Sequence, residues 1–294
     1  IPFWTQPWAK ATTTENGRAV CRRCDTCHVC PTGAKYTPDL TLHRLIDEGK
    51  VRLVTGTLVR RLNLKSNSDK VSYALGSSYE DPDEQIEFHA KIFVVAAGYA
   101  WSPHLLLLSA NSRFPAGLAN RTGMVGTYMT GHPYVSAQVD LPFESYPGMF
   151  STNSLLSRMF ARPGPLEHYL RHDLRIWTST AGRQPRPRND SGSRLFGDEI
   201  MEDWQARTKR SSARVRAYYD VIPDKNSLLS LDPHRTNRWG DPMPKIEFRD
   251  APESLSIRAR THDTLFRLFE RMAAAGNGSV MSVSYTHLTL PTKA

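Results

Sequence analysis

The residues most able to do chemistry are four cysteines, the whole complement of the 294-residue chain, gathered as Cys21-x2-Cys24-x2-Cys27-x2-Cys30-Pro31. Four thiols within ten residues point to something that unites them. Thiolates at three-residue spacing can converge on a common centre, as an iron–sulfur cluster requires. The bacterial cluster run places three residues before its final Cys-Pro, whereas two stand here. Zinc ordinarily takes two such knuckles separated by a longer loop, and disulfides between such close neighbours are geometrically difficult. An iron–sulfur cluster, zinc, disulfides and unligated structural thiols therefore all stay open, with Cys21, Cys24, Cys27 and Cys30 as the metal candidates. His28, inside the run, is expected to face solvent.

The elements around these residues follow from pattern. Pro38–Glu48 carries Leu40, Leu42, Leu45 and Ile46 among polar residues, with Pro38 and Asp39 as start signals and Gly49 as a stop, which predicts a helix. Val51–Leu64 reads as extended, and Val71–Leu75 with Ile86–Phe88 as a hairpin or small meander. The apolar run Lys91–Gly98 predicts a buried strand of a parallel sheet ending in a tight turn. Ser102 and Pro103 then supply an N-cap and a first-turn proline for a helix carrying Leu105–Leu108. Beyond His132 the texture becomes β-like at Pro133–Val139, Leu170–Thr178, Arg214–Ile222 and Leu228–Leu231. An amphipathic helix fits Ser254–Ala275, with Leu255, Ile257, Leu265, Leu268, Phe269 and Met272 apolar.

Several segments are similar to those of the glucose-methanol-choline (GMC) family of FAD-dependent oxidoreductases. Cys27-His-Val-Cys-Pro-Thr-Gly-Ala-Lys-Tyr-Thr-Pro-Asp39 resembles the cysteine-rich, Gly-Ala-Lys-containing segment of dehydrogenases and alcohol oxidases in that family. Val51–Leu62 resembles the strand whose valine backbone meets the FAD adenine, a position that falls on Val59. Val95-Ala-Ala-Gly-Tyr-Ala-Trp-Ser-Pro-His-Leu-Leu-Leu-Leu-Ser109 resembles the second family signature, a strand, an Ala-Gly turn, Ser-Pro and a Leu-rich helix. A glycine at such a strand end lets backbone approach a cofactor with no Cβ in the way. Val125–Pro133 resembles a segment over the flavin, with Tyr128 where the family has Asn and Gly131 where it has Asp. Pro223–Pro233 and Trp239–Ile246 resemble the edge of the substrate domain. The resemblance covers roughly residues 15 to 277.

What the resemblance implies is an α/β fold: a partial FAD-binding, Rossmann-like domain over 1–125, then a partial α+β substrate domain with an antiparallel sheet over 126–278. Residues 283–294 resemble a tail from sequencing-adaptor read-through, and 279–294 are expected to be non-native. Implied cofactor-binding residues are Val59, Ala97, Gly98, Ser102 and His132. The implied reaction oxidises an alcohol (a sugar, polyol or sugar acid) by hydride transfer to flavin, and a cluster would pass electrons to an acceptor protein such as a cytochrome. No Gly-x-Gly-x-x-Gly occurs, so the loop that cradles the FAD pyrophosphate is missing. The family's catalytic His lies beyond the last helix, and neither His104, His132 nor His234 is assigned its role. The chain is therefore expected to be an internal fragment, truncated at both ends and inactive by itself.

Composition excludes other classes. Hydrophobic residues make up 39% of the chain, enough for a core, and no apolar run approaches a transmembrane span. The net charge of +9 comes from 38 basic and 29 acidic residues, concentrated in 183–194 and 207–216. No nucleic-acid-binding motif accompanies it, and the first of these segments reads as a solvated loop. The front of the chain, Ile-Pro-Phe-Trp, carries no signal region and does not separate cytoplasm from periplasm. The competing reading is a non-enzymatic iron–sulfur or zinc module, which gives no reason for the Val95–Ser109 signature.

Overall fold

The computed structural model describes residues 2–6, 8–14, 17–22, 30–144, 154–159, 172–180, 185–276 and 279–286; at 154, 172, 178–180 and 279–286 only the backbone is described. The chain divides into two compact units, one made of 1–43, 132–221 and 252–294, the other of 44–131 and 222–251. Both mix helices with sheets, and every ladder among the described residues is antiparallel.

The first unit is built on a sheet of six strands. In chain order these are β1 (Trp4–Thr5), β5 (Tyr134–Leu141), β6 (Ser154–Ser157), β7 (His172–Thr180), β8 (Ser211–Tyr219) and β11 (Ser279–Thr286), and their spatial order is β1-β6-β7-β8-β5-β11. Helix α4 (Pro252–Ala275) packs on β5 and β8. Its buried residues Ile257, Thr261, Leu265, Phe269 and Ala273 recur every fourth position, so they form one stripe. They meet Val135, Ala137, Val139, Ala213, Val215 and Ala217, alternate residues of two strands and hence one face of the sheet. Phe269 and Val215 are wholly buried, and burying a side chain such as Phe269 contributes ~1.5–3 kcal/mol. Helix α3 (Asp198–Thr208) is tied to the preceding loop by Asp203, whose carboxylate accepts from Arg186 at 2.9 and 3.0 Å and from Arg207 at 2.7 Å. Pairing of β11 with β5 runs through Ser284↔Ser136 to Thr286↔Tyr134, into the stretch whose sequence resembles a foreign tail.

The second unit contains the meander β2 (Thr57–Leu64), β3 (Val71–Ser78) and β4 (Gln85–His89), with Leu62 opposite Ala74 and Ala74 opposite Phe88. Helix α2 (Gly98–Leu108) lies against β2, where the Leu62 N–H donates to Ser109 Oγ at 2.9 Å. Leu62, Ala74, Phe114 and Leu118 form the core, with Phe88, Phe93, Val95, Leu105 and Leu106 packed around them. The hairpin of β9 (Leu228–Thr236) and β10 (Pro242–Glu247) also adjoins α2. Gly126, at φ +88°, lies so close to the Leu229 carbonyl oxygen that no Cβ fits there, and the Leu229 N–H donates to Gly126 O at 2.7 Å. Helix α1 (Pro38–Asp47) begins at the predicted proline and gives way to Gly49, at φ +67°.

One expected element is not formed. Residues 91–97 make no ladder among the described residues, and Ile92 and Val94 are 80% and 82% exposed. Side chains of an extended segment alternate between faces, and only one face, carrying Phe93 and Val95, finds the core. A continuous apolar run reports that both faces suit burial; it does not supply the neighbour that buries the second.

Candidate cofactor site and cysteine segment

The best-formed candidate is the Ala97–Gly98 turn. Gly98 has φ +84° and no atom within 4 Å of where a Cβ would stand, so the backbone is open to approach. Glycine alone occupies that conformation without penalty. The helix here starts earlier than its sequence suggests: Ala97 is the N-cap, with no side-chain cap hydrogen bond, and Pro103 lies inside the helix. Ser102 is thus not the N-cap. Its Oγ reaches back to accept the Ala97 N–H at 3.1 Å, which fixes the turn from within the helix. Pro103 has no N–H to return to the Tyr99 carbonyl, a loss that the fixed proline φ partly offsets by suiting helical backbone.

Val59 sits on β2 opposite Gly76, next to a shift in register between Val59 and Arg61, and its side chain is exposed. Val59, Ala97, Gly98 and Ser102 therefore belong to one unit, in which β2 and α2 adjoin, whereas His132 belongs to the other. Tyr128 has φ +55° and is exposed. Asparagine enters that left-handed region several-fold more readily than a bulky aromatic, so the Asn of the family pattern suits this backbone and Tyr128 strains it.

The cysteine segment is described at its two ends. Cys24, Cys27 and His28 lie outside the described residues; Cys21 and Cys30 are half-buried free thiols. The Cys21 N–H donates to Ala11 O at 2.9 Å. The Cys30 Sγ accepts the Lys35 N–H at 3.4 Å and lies 3.6 Å from Thr32 Oγ1. These donors, Lys35 foremost, hold its pKa down to about 7 by favouring the thiolate. Among the described residues no three His, Cys, Asp or Glu side chains gather as a metal site.

His104 is buried, and its Nε2 donates to Pro242 O at 2.8 Å, which makes it a structural tie between α2 and β10. Nearby, Arg60 clamps Asp241 at 2.6 and 2.8 Å and adds bonds to Trp239 O and Ser77 Oγ. The pair is well shielded, with 16% and 5% of the two side chains exposed. Hydrogen bonding to Asp241 raises the Arg60 pKa still further, so this charge is permanent. Sequence reading missed this network because its members are 181 residues apart.

Sequence reading also missed the sheet face turned away from α4. Tyr134, Gln138, Arg175, Trp177, Arg214, Arg216 and Tyr218 share it by register. Arg175 lies over the Tyr218 ring at 4.5 Å, and Arg216 over Tyr134 at 4.4 Å and Trp177 at 5.2 Å. Period-two alternation in 211–219 was the signal that could have found it.

Fold and site together define a protein of mixed helices and antiparallel sheets with an exposed glycine turn at a helix start. No family model matches the chain. It is similar to the fructose dehydrogenase large subunit of Gluconobacter japonicus, 27% identical over 248 residues, covering 82% of this chain and 44% of that protein. The paromamine 6'-oxidase of Streptomyces fradiae is 29% identical over 292 residues, covering 94% of this chain and 48% of the relative. A shorter stretch of 104 residues is 36% identical to 2-methyl-1,2-propanediol dehydrogenase of Mycolicibacterium austroafricanum, covering 35% of this chain and 18% of that protein. The chain spans about half the length of the first two. These similarities bear out the resemblance read from the residues: over most of its length the chain is similar to proteins of the GMC-type FAD oxidoreductases, at 27–29% identity.

Proposed function

We propose that this chain is part of an FAD-dependent oxidoreductase that removes hydride from the CH–OH group of a sugar, polyol or related alcohol. The observation that carries the reading is similarity, over more than four-fifths of the chain, to a fructose dehydrogenase subunit and a paromamine oxidase. The geometry supports it at one point, since the Gly98 turn is exposed and free of side chain where a flat, charged cofactor needs backbone approach. Residues 1–125 would contribute to the FAD-binding portion and 126–278 to the substrate portion. The flavin, when bound, supplies the hydride acceptor. The chain's own part is to hold it: Val59 backbone beside the adenine, and Ala97–Gly98 against the cofactor with Ser102 bracing that turn.

The test is an absorption spectrum of the protein expressed from its full reading frame, recorded before and after adding fructose, sorbitol and other alcohols. A flavin spectrum that an alcohol bleaches is the expected result. A protein that stays colourless after reconstitution with FAD overturns the reading. The same spectrum addresses Cys21, Cys24, Cys27 and Cys30: a broad iron–sulfur absorbance assigns them to a cluster and implies an acceptor protein such as a cytochrome.

A further inference from the structure

One row of side chains along α2 is covered by the chain at one end and bare at the other. Trp101, His104 and Leu108 stand three and four positions apart, so they line one face of the helix. His104 and Leu108 are 6% and 8% exposed, whereas Trp101 is 49% exposed. The Trp101 ring is nonetheless held. It meets the His104 ring edge to face, with centroids 5.5 Å apart and planes at 75°, and His104 is itself fixed through Nε2 to Pro242 O at 2.8 Å. An indole restrained in this way offers solvent a fixed apolar surface.

That surface adjoins the open turn at the start of the helix. Gly98 stands three positions before Trp101, hence on the same face, and Ser102, whose Oγ braces the turn, comes next after the indole. Long side chains of a helix lean toward its N-terminus, over the preceding turn, which carries the indole toward Gly98. The approach to the glycine stays open all the same, since no atom, the indole included, comes within 4 Å of where a Gly98 Cβ would stand. Turn and ring thus border one opening. A flat heteroaromatic ring suits it, because it can reach the backbone with no Cβ in the way and gain stacking on the indole. Tyr99 is 60% exposed, but it stands two positions before Trp101 and does not share its face.

We propose that Trp101 is a cofactor-binding residue, its indole stacked on a heteroaromatic ring of FAD seated against the Gly98 turn. The proposal rests on the reading of the protein as an FAD-dependent oxidoreductase, and it adds a side-chain contact where that reading invokes backbone. Adenine and isoalloxazine share the required chemistry.

The test is titration with FAD of the cofactor-free protein expressed from the full reading frame, followed by absorbance and by flavin emission. Trp101→Ala and Trp101→Leu are expected to weaken FAD binding at least about fivefold, while Trp101→Phe, which keeps a ring, stays within about twofold of the native protein. Tyr99→Ala is expected to stay within about twofold as well. Brighter emission from FAD bound to the Leu variant assigns the contact to isoalloxazine, because an indole against the flavin quenches it. Weakened binding with unchanged emission assigns it to adenine. Equal FAD affinity in the Leu and Phe variants, or an equal loss in Tyr99→Ala, overturns the proposal. So does a Trp101→Leu protein that melts earlier without cofactor and keeps its FAD affinity, since the ring is then covered by protein. The comparison of Leu with Phe preserves apolar bulk and decides the matter even where the Ala variant does not fold. With any of these failures, a native protein that binds FAD and is bleached by an alcohol leaves the oxidoreductase reading standing. A native protein that binds no FAD overturns the reading and the proposal together.

Discussion

The two faces of the six-stranded sheet are built from alternate residues of the same strands, yet they obey different rules. Toward α4 lie Val135, Ala137, Val139, Val215 and Ala217, each at most 2% exposed and all apolar. Turned the other way are Tyr134, Arg175, Trp177, Arg216 and Tyr218, where charge is only partly shielded and two buried Nε atoms lack acceptors. The first face is what dispersion and the hydrophobic effect select without reference to a ligand. The second sets two like charges side by side and holds them by stacking on Tyr134, Trp177 and Tyr218. Arg60, in the other unit, is also shielded, but it makes four hydrogen bonds to Asp241, Trp239 and Ser77.

Substitutions on the two faces and in the other unit test this difference. Phe269→Ala on the α4 side should cost most, about 4 kcal/mol of unfolding free energy, because a wholly buried ring leaves a cavity; urea unfolding measures it. Asp241→Ala should cost about 3 kcal/mol by the same assay, since it strands the Arg60 charge in a shielded site. Gly98→Ala should cost about 1–2 kcal/mol purely through backbone strain at φ +84°, there being open space for the methyl group; the loss should appear as an earlier thermal midpoint. Arg216→Met should change stability by less than about 1 kcal/mol, because it removes an unsatisfied group along with its charge. A loss as large as that of Phe269→Ala would erase the distinction between the two faces.

The smallest effect should be electrostatic and lie at low pH. Hydrogen bonds from Arg186, then Arg207, hold the Asp203 pKa down to about 2. With the folded value below the unfolded value of about 4, the stabilisation is complete above that pH and is lost as pH falls through about 2. Asp203→Asn should therefore flatten the acid limb of a stability–pH profile between these values, and leave the profile near neutrality parallel to that of the native chain.

Much of the local structure was legible in the residues. Pro38, Asp39 and Gly49 marked a helix because caps and glycine stops act within a turn of their own position. The spacing of Ile257, Leu265 and Phe269 marked the long helix and its buried side, and β-rich composition marked β5 and the β2–β4 meander, and β8 with bounds displaced by three residues, 214–222 against Ser211–Tyr219. The motif from Val95 to Ser109 carried the family resemblance, and its glycine takes the left-handed backbone that such a turn needs. Each of these depends on interactions between residues only a few positions apart.

Tertiary structure decided the rest. The apolar run 91–97 satisfied every local criterion for a buried strand, but whether both of its faces are covered depends on neighbours that no local pattern contains. Ser102 looked like a cap; the helix instead begins at Gly98, because backbone bonding extends to Ala97 and the hydroxyl turns back upon it. The Arg60–Asp241 clamp and the Arg175–Arg216 pair join residues 181 and 41 positions apart. Sequence determines which faces are apolar and where backbone can turn, since those are short-range properties. Which charges meet, and whether they are satisfied, is fixed only when distant strands are brought into register.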